Sequence, residues 1–245
     1  RWVPTKAGHV VVRLRPGGTP TPLLEERAAF QRFDLSRDGR WLAATVQTAE
    51  RQELRIYDLR DGQRTVWLSA DHVRHPLWSP AGDRLMVGQL KGGRGSLIVG
   101  VPGSGRAPDT LLTHDSIGYV RDPVGWVSEH DVLLQNWVAA VSFRTDPTVA
   151  PMRLDSLIAP SRFPAVSPGG RLVAFMGNRG GDLSVTTYPV PGRRWLLDAN
   201  GVEPQWLAPG ELVYRTGVTW NVARVDPVTG ELVGRPTQWA RDPRF

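Results

Sequence analysis

Five histidines, His9, His72, His75, His114 and His130, are the side chains best suited to metal or proton chemistry, and only His72 and His75 lie close together. No motif ties a carboxylate or a further histidine to that pair, so the spacing of a metal site is missing. The chain has no cysteine, which excludes disulfides, thiol nucleophiles and thiolate metal sites together. "GGRGS" at residues 92–96 has glycines like a phosphate loop but neither its spacing nor its following lysine, and reads as a hairpin loop. "DLSRDG" at residues 34–39 opens like a calcium loop, yet Thr45 stands where the bidentate glutamate belongs, so a turn is the better reading. No serine is flanked by glycines at plus and minus two, and the kinase loops and motifs are absent. The chain is therefore expected to be non-enzymatic, with no cofactor and no metal.

Arginine is the remaining constellation. Of 30 basic residues only Lys6 and Lys91 are lysines, the net charge is +6, and no basic run exceeds two residues. Charge spread this evenly argues against a nucleic-acid partner. Its placement is more informative. The residue pairs ahead of five apolar segments are Gln31 and Arg32, Arg74 and His75, Arg121 and Asp122, Arg162 and Phe163, and Val202 and Glu203. If a fold gathers these pairs, they form a positive mouth able to hold a carboxylate, a phosphate or an acidic peptide through charge-assisted hydrogen bonds. The candidate binding residues are Arg32, Arg74, His75, Arg121, Arg162 and Glu203.

What could gather them is a repeat. "FDLSRDGRWLAATV" begins at Phe33, "PLWSPAGDRLMVGQ" at Pro76, "PAVSPGGRLVAFMG" at Pro164 and "PQWLAPGELVYRTG" at Pro204. Their turn glycines, Gly39, Gly82, Gly170 and Gly210, are spaced by 43, 88 and 40 residues, and the doubled interval holds a degenerate copy, "VGWVSEHDVLLQNW", from Val124. Each copy is followed by further short apolar runs bounded by glycine, proline, aspartate or asparagine. Period-two alternation marks strands, and no segment sustains a 3.6-residue period. Four short strands in each of five repeats of forty-odd residues describe an all-β fold, a β-propeller of four-stranded antiparallel blades.

In each blade the first strand would be innermost, the glycine would supply the positive φ of the turn, and Ser79 or Asp38 would bond the turn backbone. Pro76 would enter the inner strand on the side facing the channel, and Trp78, Trp126 and Trp206 would pack between blades. The boundaries expected are one propeller domain over 1–245, with a partial blade over 1–30 and blades from about 31, 74, 121, 162 and 202.

"LSRDGRWLA", "WSPAGDRLMV" and "VSPGGRLVAF" resemble the TolB-type propeller repeat, whose pattern runs approximately W-S-P-D-G-K-x-L-A-F. The resemblance covers essentially the whole chain. It departs at the consensus aspartate, which is kept as Asp38 but replaced by Ala81 and Gly169. It implies six blades, of which five are visible, closed by pairing of the N- and C-terminal segments. It also implies a protein-, peptide- or small-anion-binding module outside the cytoplasm, in the periplasm or an equivalent compartment. The wording of "VVVRLRPGGTPTPLL" is most similar to the sensor propellers of membrane-anchored bacterial serine/threonine kinases. Envelope scaffold proteins, the accessory propellers of prolyl-oligopeptidase-like peptidases and propeller enzymes are the alternatives. No stretch is long and apolar enough for membrane insertion by this chain, and its arginine start reads as a processed product or an excised domain.

Overall fold

The computed structural model describes residues 8–113, 122–135, 140–144, 161–177, 182–188, 190 and 192–241. Its strands form antiparallel meanders in which each strand pairs with the next. The first four-stranded sheet is β3 (Ala29–Leu35), β4 (Trp41–Gln47), β5 (Gln52–Asp58) and β6 (Arg64–Ala70). The second is β7 (His72–Trp78), β8 (Leu85–Lys91), β9 (Arg94–Gly100) and β10 (Asp109–Thr113). A three-stranded sheet follows, β11 (Asp122–Trp126), β12 (Asp131–Gln135) and β13 (Ala140–Arg144). Two more four-stranded sheets complete the set: β14 (Ser161–Val166), β15 (Leu172–Gly177), β16 (Leu183–Thr187) and β17 (Trp195–Asp198), then β18 (Val202–Ala208), β19 (Glu211–Thr216), β20 (Thr219–Arg224) and β21 (Thr237–Arg241). A short hairpin, β1 (Val12–Arg13) and β2 (Thr21–Pro22), precedes them.

The chain divides into two compact units. One takes everything up to Pro123 except Leu14–Thr19, and the other takes Leu14–Thr19 and everything from Val124. In the first unit, Ala43, Leu54 and Ile56 of the first sheet meet Leu85, Val87, Ile98 and Trp78 of the second in one buried cluster. The other face of the first sheet is covered by the N-terminal segment, where Val11 and Leu24 pack on Leu42, Ala44 and Tyr57. Glu26 pins this segment, accepting from Arg55 and Arg64 at 2.6 Å each and from the Tyr57 hydroxyl at 2.8 Å. In the second unit, Leu172, Ala174, Leu183 and Val185 pack on Leu212, Tyr214, Ala223 and Val225. The loop from Leu14 to Thr19 belongs here too, with Gly17 N–H donating to the Trp239 carbonyl at 3.2 Å.

The second strand of each sheet explains why period-two alternation is only half the pattern. Leu42 to Val46, Leu85 to Gly88 and Leu172 to Met176 are buried on successive residues, so both faces of these strands are covered. A strand buried on both faces reads as a continuous apolar run, as in "LVAFM". Tryptophan fills the space between sheets. Trp78 is 7% exposed in the cluster between the first and second sheets, and Trp206 Nε1 donates to the Ala165 carbonyl of the neighbouring sheet at 2.9 Å.

The turn between first and second strand is built around a buried serine. Ser36, Ser79 and Ser167 accept, through their hydroxyls, the backbone N–H groups of Trp41, Arg84 and Leu172 at 2.8, 3.1 and 3.0 Å. Their carbonyls accept the N–H of Gly39, Gly82 and Gly170 at 2.8 Å, where the glycines have φ near +70°. The consensus aspartate can be lost because its role moves. Asp38 accepts the Ser36 hydroxyl at 2.6 Å, and in the second sheet Asp83, two residues further along the turn than Ala81, accepts Ser79 at 2.7 Å.

Removing one of these buried hydroxyls strands a backbone N–H. Ser79→Ala or Ser167→Ala is expected to cost about 1–2 kcal/mol in urea unfolding. Glycine substitutions separate strain from collision. A Cβ on Gly82 meets nothing within 4 Å, whereas one on Gly170 would lie 1.9 Å from the Val127 carbonyl oxygen. Gly82→Ala should cost only the left-handed backbone penalty of about 1 kcal/mol, and Gly170→Ala several-fold more by the same assay.

Candidate functional site

Four of the residue pairs marked out by the repeat lie inside the first strands, not ahead of them, and the reason is a bulge, while Arg121 of the fifth pair lies outside the described residues. Pairing of β7 with β8 steps from Arg74 and Gly88 to Leu77 and Met86, so His75 and Pro76 together oppose Val87. The same slip occurs at Phe163 and Pro164, between the pairs Arg162 with Met176 and Ala165 with Ala174. It recurs at Glu203 and Pro204, between Val202 with Arg215 and Gln205 with Val213. Proline has no N–H to give the ladder, and the bulge places it where the regular ladder is interrupted. Pro76 is thus an interior strand residue tolerated by a bulge, which corrects its reading as a strand entry.

The residue before each proline carries the cost. His75, Phe163 and Glu203 have φ of 42°, 49° and 56° and are the non-glycine residues in the left-handed region among the described ones. The proline ring disfavours the right-handed helical region for its predecessor, leaving extended or left-handed backbone. The first sheet has Phe33 where these three sheets have proline, and it solves its bulge without left-handed backbone. Buried Thr45 accepts the Arg32 N–H through its hydroxyl at 3.0 Å and donates that hydroxyl to the Arg32 carbonyl at 3.3 Å.

In the first unit the bulge of β7 gathers charge. His75 Nε2 lies 3.8 Å from Asp122 Oδ2, beyond direct hydrogen bonding, and their side chains are 38% and 24% exposed. Burial holds the His75 imidazole below the usual histidine value. Asp122 opposes that shift, and Arg32 and Arg74 reinforce it. His75 is therefore neutral at pH 7. Neither the Arg32 nor the Arg74 guanidinium has a hydrogen-bond or ion-pair partner among the described residues, and buried Asp122 Oδ1 has no hydrogen-bond partner.

In the second unit the corresponding positions differ. Glu203 is held by Arg215, which donates from Nε at 3.0 Å and from a terminal nitrogen at 3.2 Å, so its charge is matched. Phe163 is 49% exposed, and the side chain of Arg162, on β14, lies outside the described residues, as does all of Arg121. Among the described residues no group of three or more histidines, aspartates or glutamates gathers to hold a metal.

Asp34 was missed by the sequence reading. Its Oδ2 accepts the Trp78 N–H at 2.7 Å, joining the first strands of two neighbouring sheets. Its repeat equivalents are Leu77, Ala165 and Gln205, so a lone acid in an otherwise uncharged column was the available signal. Burial pushes the Asp34 carboxyl up to about 6, against the hydrogen bonds from the Trp78 and Leu35 N–H groups. A carboxyl with a raised folded pKa contributes stability that is present below its unfolded value and lost as pH rises through its folded value. Asp34→Asn should therefore raise stability at pH 7 and remove a loss that the unaltered chain shows between about pH 4 and 6. Denaturant unfolding of both chains across that range checks this.

No family model matches the sequence, and no curated protein matches it. Solved structures do. TolB from Acinetobacter baumannii superposes with a TM-score of 0.69 at 15% identity, covering 91% of this chain and 60% of that one. A puromycin-hydrolysing peptidase from Mycobacterium tuberculosis gives 0.61 at 18% identity, covering 97% of this chain and 41% of that one. The β-propeller domain of the Trilobed protease from Pyrococcus furiosus gives 0.53 at 11% identity, covering 87% and 82%. The chain thus spans less than two thirds of the TolB and peptidase chains. At these identities the likeness establishes the fold, which is a TolB-like, all-β propeller of antiparallel sheets.

Proposed function

We propose that this chain is a non-enzymatic binding module that receives an anionic segment of a protein or peptide at the first-strand bulge of β7. One observation carries the reading: the charges of Arg32 and Arg74 both act on His75, and neither guanidinium has a hydrogen-bond or ion-pair partner among the described residues. Guanidiniums form paired, charge-assisted hydrogen bonds to carboxylates, and leaving them unmatched on a rigid strand is useful to a ligand of opposite charge. Rigid sheets suit the task because they hold the contact groups in place before the ligand arrives.

In its wider setting we read the module as one six-bladed, extracytoplasmic propeller, the sensor region of a membrane-anchored bacterial serine/threonine kinase. Support for this setting is the wording of the N-terminal hairpin and the TolB-like fold. A second reading, a propeller accessory to a peptidase, is favoured by the 97% of this chain that superposes on part of the puromycin-hydrolysing peptidase.

The test is calorimetric titration of the purified chain with hexaglutamate at low salt. Binding that weakens with added salt and falls at least tenfold in the Arg32→Ala, Arg74→Ala double variant is expected, as for charge-matched contacts. Equal binding by the double variant would remove the site.

A further inference from the structure

We infer that the depression between the turns of the last two sheets holds the C-terminal aromatic residue of a polypeptide, its ring among prolines and its terminal carboxylate on Arg171. Every residue this uses belongs to the second unit, so it does not depend on the reading at β7.

The walls are turns whose hydrogen bonds are already made. In the turn between β14 and β15, Gly170 N–H donates to the Ser167 carbonyl at 2.8 Å and Leu172 N–H to the Ser167 hydroxyl at 3.0 Å. In the turn between β18 and β19, the Gly210 carbonyl accepts the Val225 N–H at 2.8 Å. After β20, Asp226 Oδ1 accepts the Thr229 and Val228 N–H groups at 2.7 and 2.9 Å and the Thr229 hydroxyl at 3.1 Å. Those N–H groups hold the Asp226 carboxyl below the usual carboxylate range, so its charge is committed to its own turn. Pro168, Pro209 and Pro227 add fixed φ to the same walls. A site that is rigid beforehand loses little freedom on binding.

Size selects one side chain. The depression has a volume of about 230 Å³. That is below the roughly 300–1,000 Å³ of small-molecule sites and above the roughly 150 Å³ that takes benzene in an engineered cavity. One aromatic ring fits where a whole cofactor would not. Pro168, Pro209, Pro227 and Val228 are all exposed, Val228 at 61%, so apolar surface is also offered to the residues of a chain that precede the ring.

Charge selects the end of that chain. Arg171 lines the depression, is exposed, and has no hydrogen-bond or ion-pair partner among the described residues. A guanidinium grips a carboxylate through two parallel hydrogen bonds. At a C-terminus the ring and the carboxylate leave the same Cα, so one residue serves both the depression and Arg171. Inside an extended segment, neighbouring side chains point to opposite faces, and a ring and an adjacent acidic group diverge.

Fluorescence anisotropy with the purified chain and an N-terminally labelled peptide, glycyl-seryl-glycyl-seryl-phenylalanine, tests this. The free acid should bind, and its C-terminal amide, or the peptide ending in alanine, should bind about tenfold more weakly. Arg171→Gln should weaken the acid by about the same factor and leave the amide unchanged, with an unaltered urea midpoint as expected at an exposed position. Val228→Glu, also at an exposed position, should weaken the acid by like-charge repulsion. Amide binding as tightly as acid would make the occupant an internal segment. N-acetylphenylalanine binding as tightly as the peptide would make it a small aromatic acid, and hexaglutamate doing so would make it a simple anion. Each of these results overturns the inference, as does undiminished binding of the acid by the Arg171→Gln chain or no binding by the unaltered one.

Discussion

Each second strand must be covered on both faces, and most of the remaining structure follows from that requirement. Leu42 to Val46 and Leu172 to Met176 are buried residue by residue, so a sheet standing alone would expose half of its apolar side chains. Stacking within each unit buries them, with tryptophan and branched aliphatic side chains filling the gaps. Even the N-terminal segment serves this end, sealing the outer face of the first sheet through Val11 and Leu24 while Glu26 fixes it by charge. Sheets stacked within a unit in this way depend on well-fixed turns, and three of the sheets share one. Buried serines build it, each satisfying an N–H at the start of the following strand.

Stacking also determines where function is free to sit. The second strands are committed to the core on both faces. The first strands are less covered, as Phe33, Leu35, Phe163 and Leu207 show by their exposure. The prolyl bulges sit in these strands. Binding chemistry is therefore confined to an element that the core tolerates being irregular, and Arg32, Arg74 and His75 occupy it without disturbing the apolar clusters behind them.

Much of the fold was legible because turn chemistry is local. A glycine at positive φ and a serine three residues before it recur in the sequence itself, and the sheets fall on those repeats. Paired burial was harder to read, since "LVAFM" carries no alternation to show which faces are covered. The bulge was invisible for a related reason. His-Pro, Phe-Pro and Glu-Pro read as extended dipeptides, and only the ladder around them shows that two residues face one. Asp122 beside His75 and Asp34 beneath Trp78 join different sheets, and such pairings follow from stacking distances that no single repeat records. Arg74 and His75 were recognisable as a basic pair, but that Arg32 lies near them was legible only through the period. The difference between Glu203 and the other positions arises from Arg215, one strand away, and no local pattern announces it.

The central claim is that the irregular strand β7 holds an anionic segment at Arg32 and Arg74, whose guanidiniums have no partner among the described residues. The structure of the chain crystallised with hexaglutamate tests it most directly. The account predicts peptide carboxylate oxygens within hydrogen-bonding distance of Arg32 and Arg74, with His75 keeping its left-handed backbone. Peptide seated instead over the depression lined by Pro168, Arg171, Pro209 and Pro227 would contradict it.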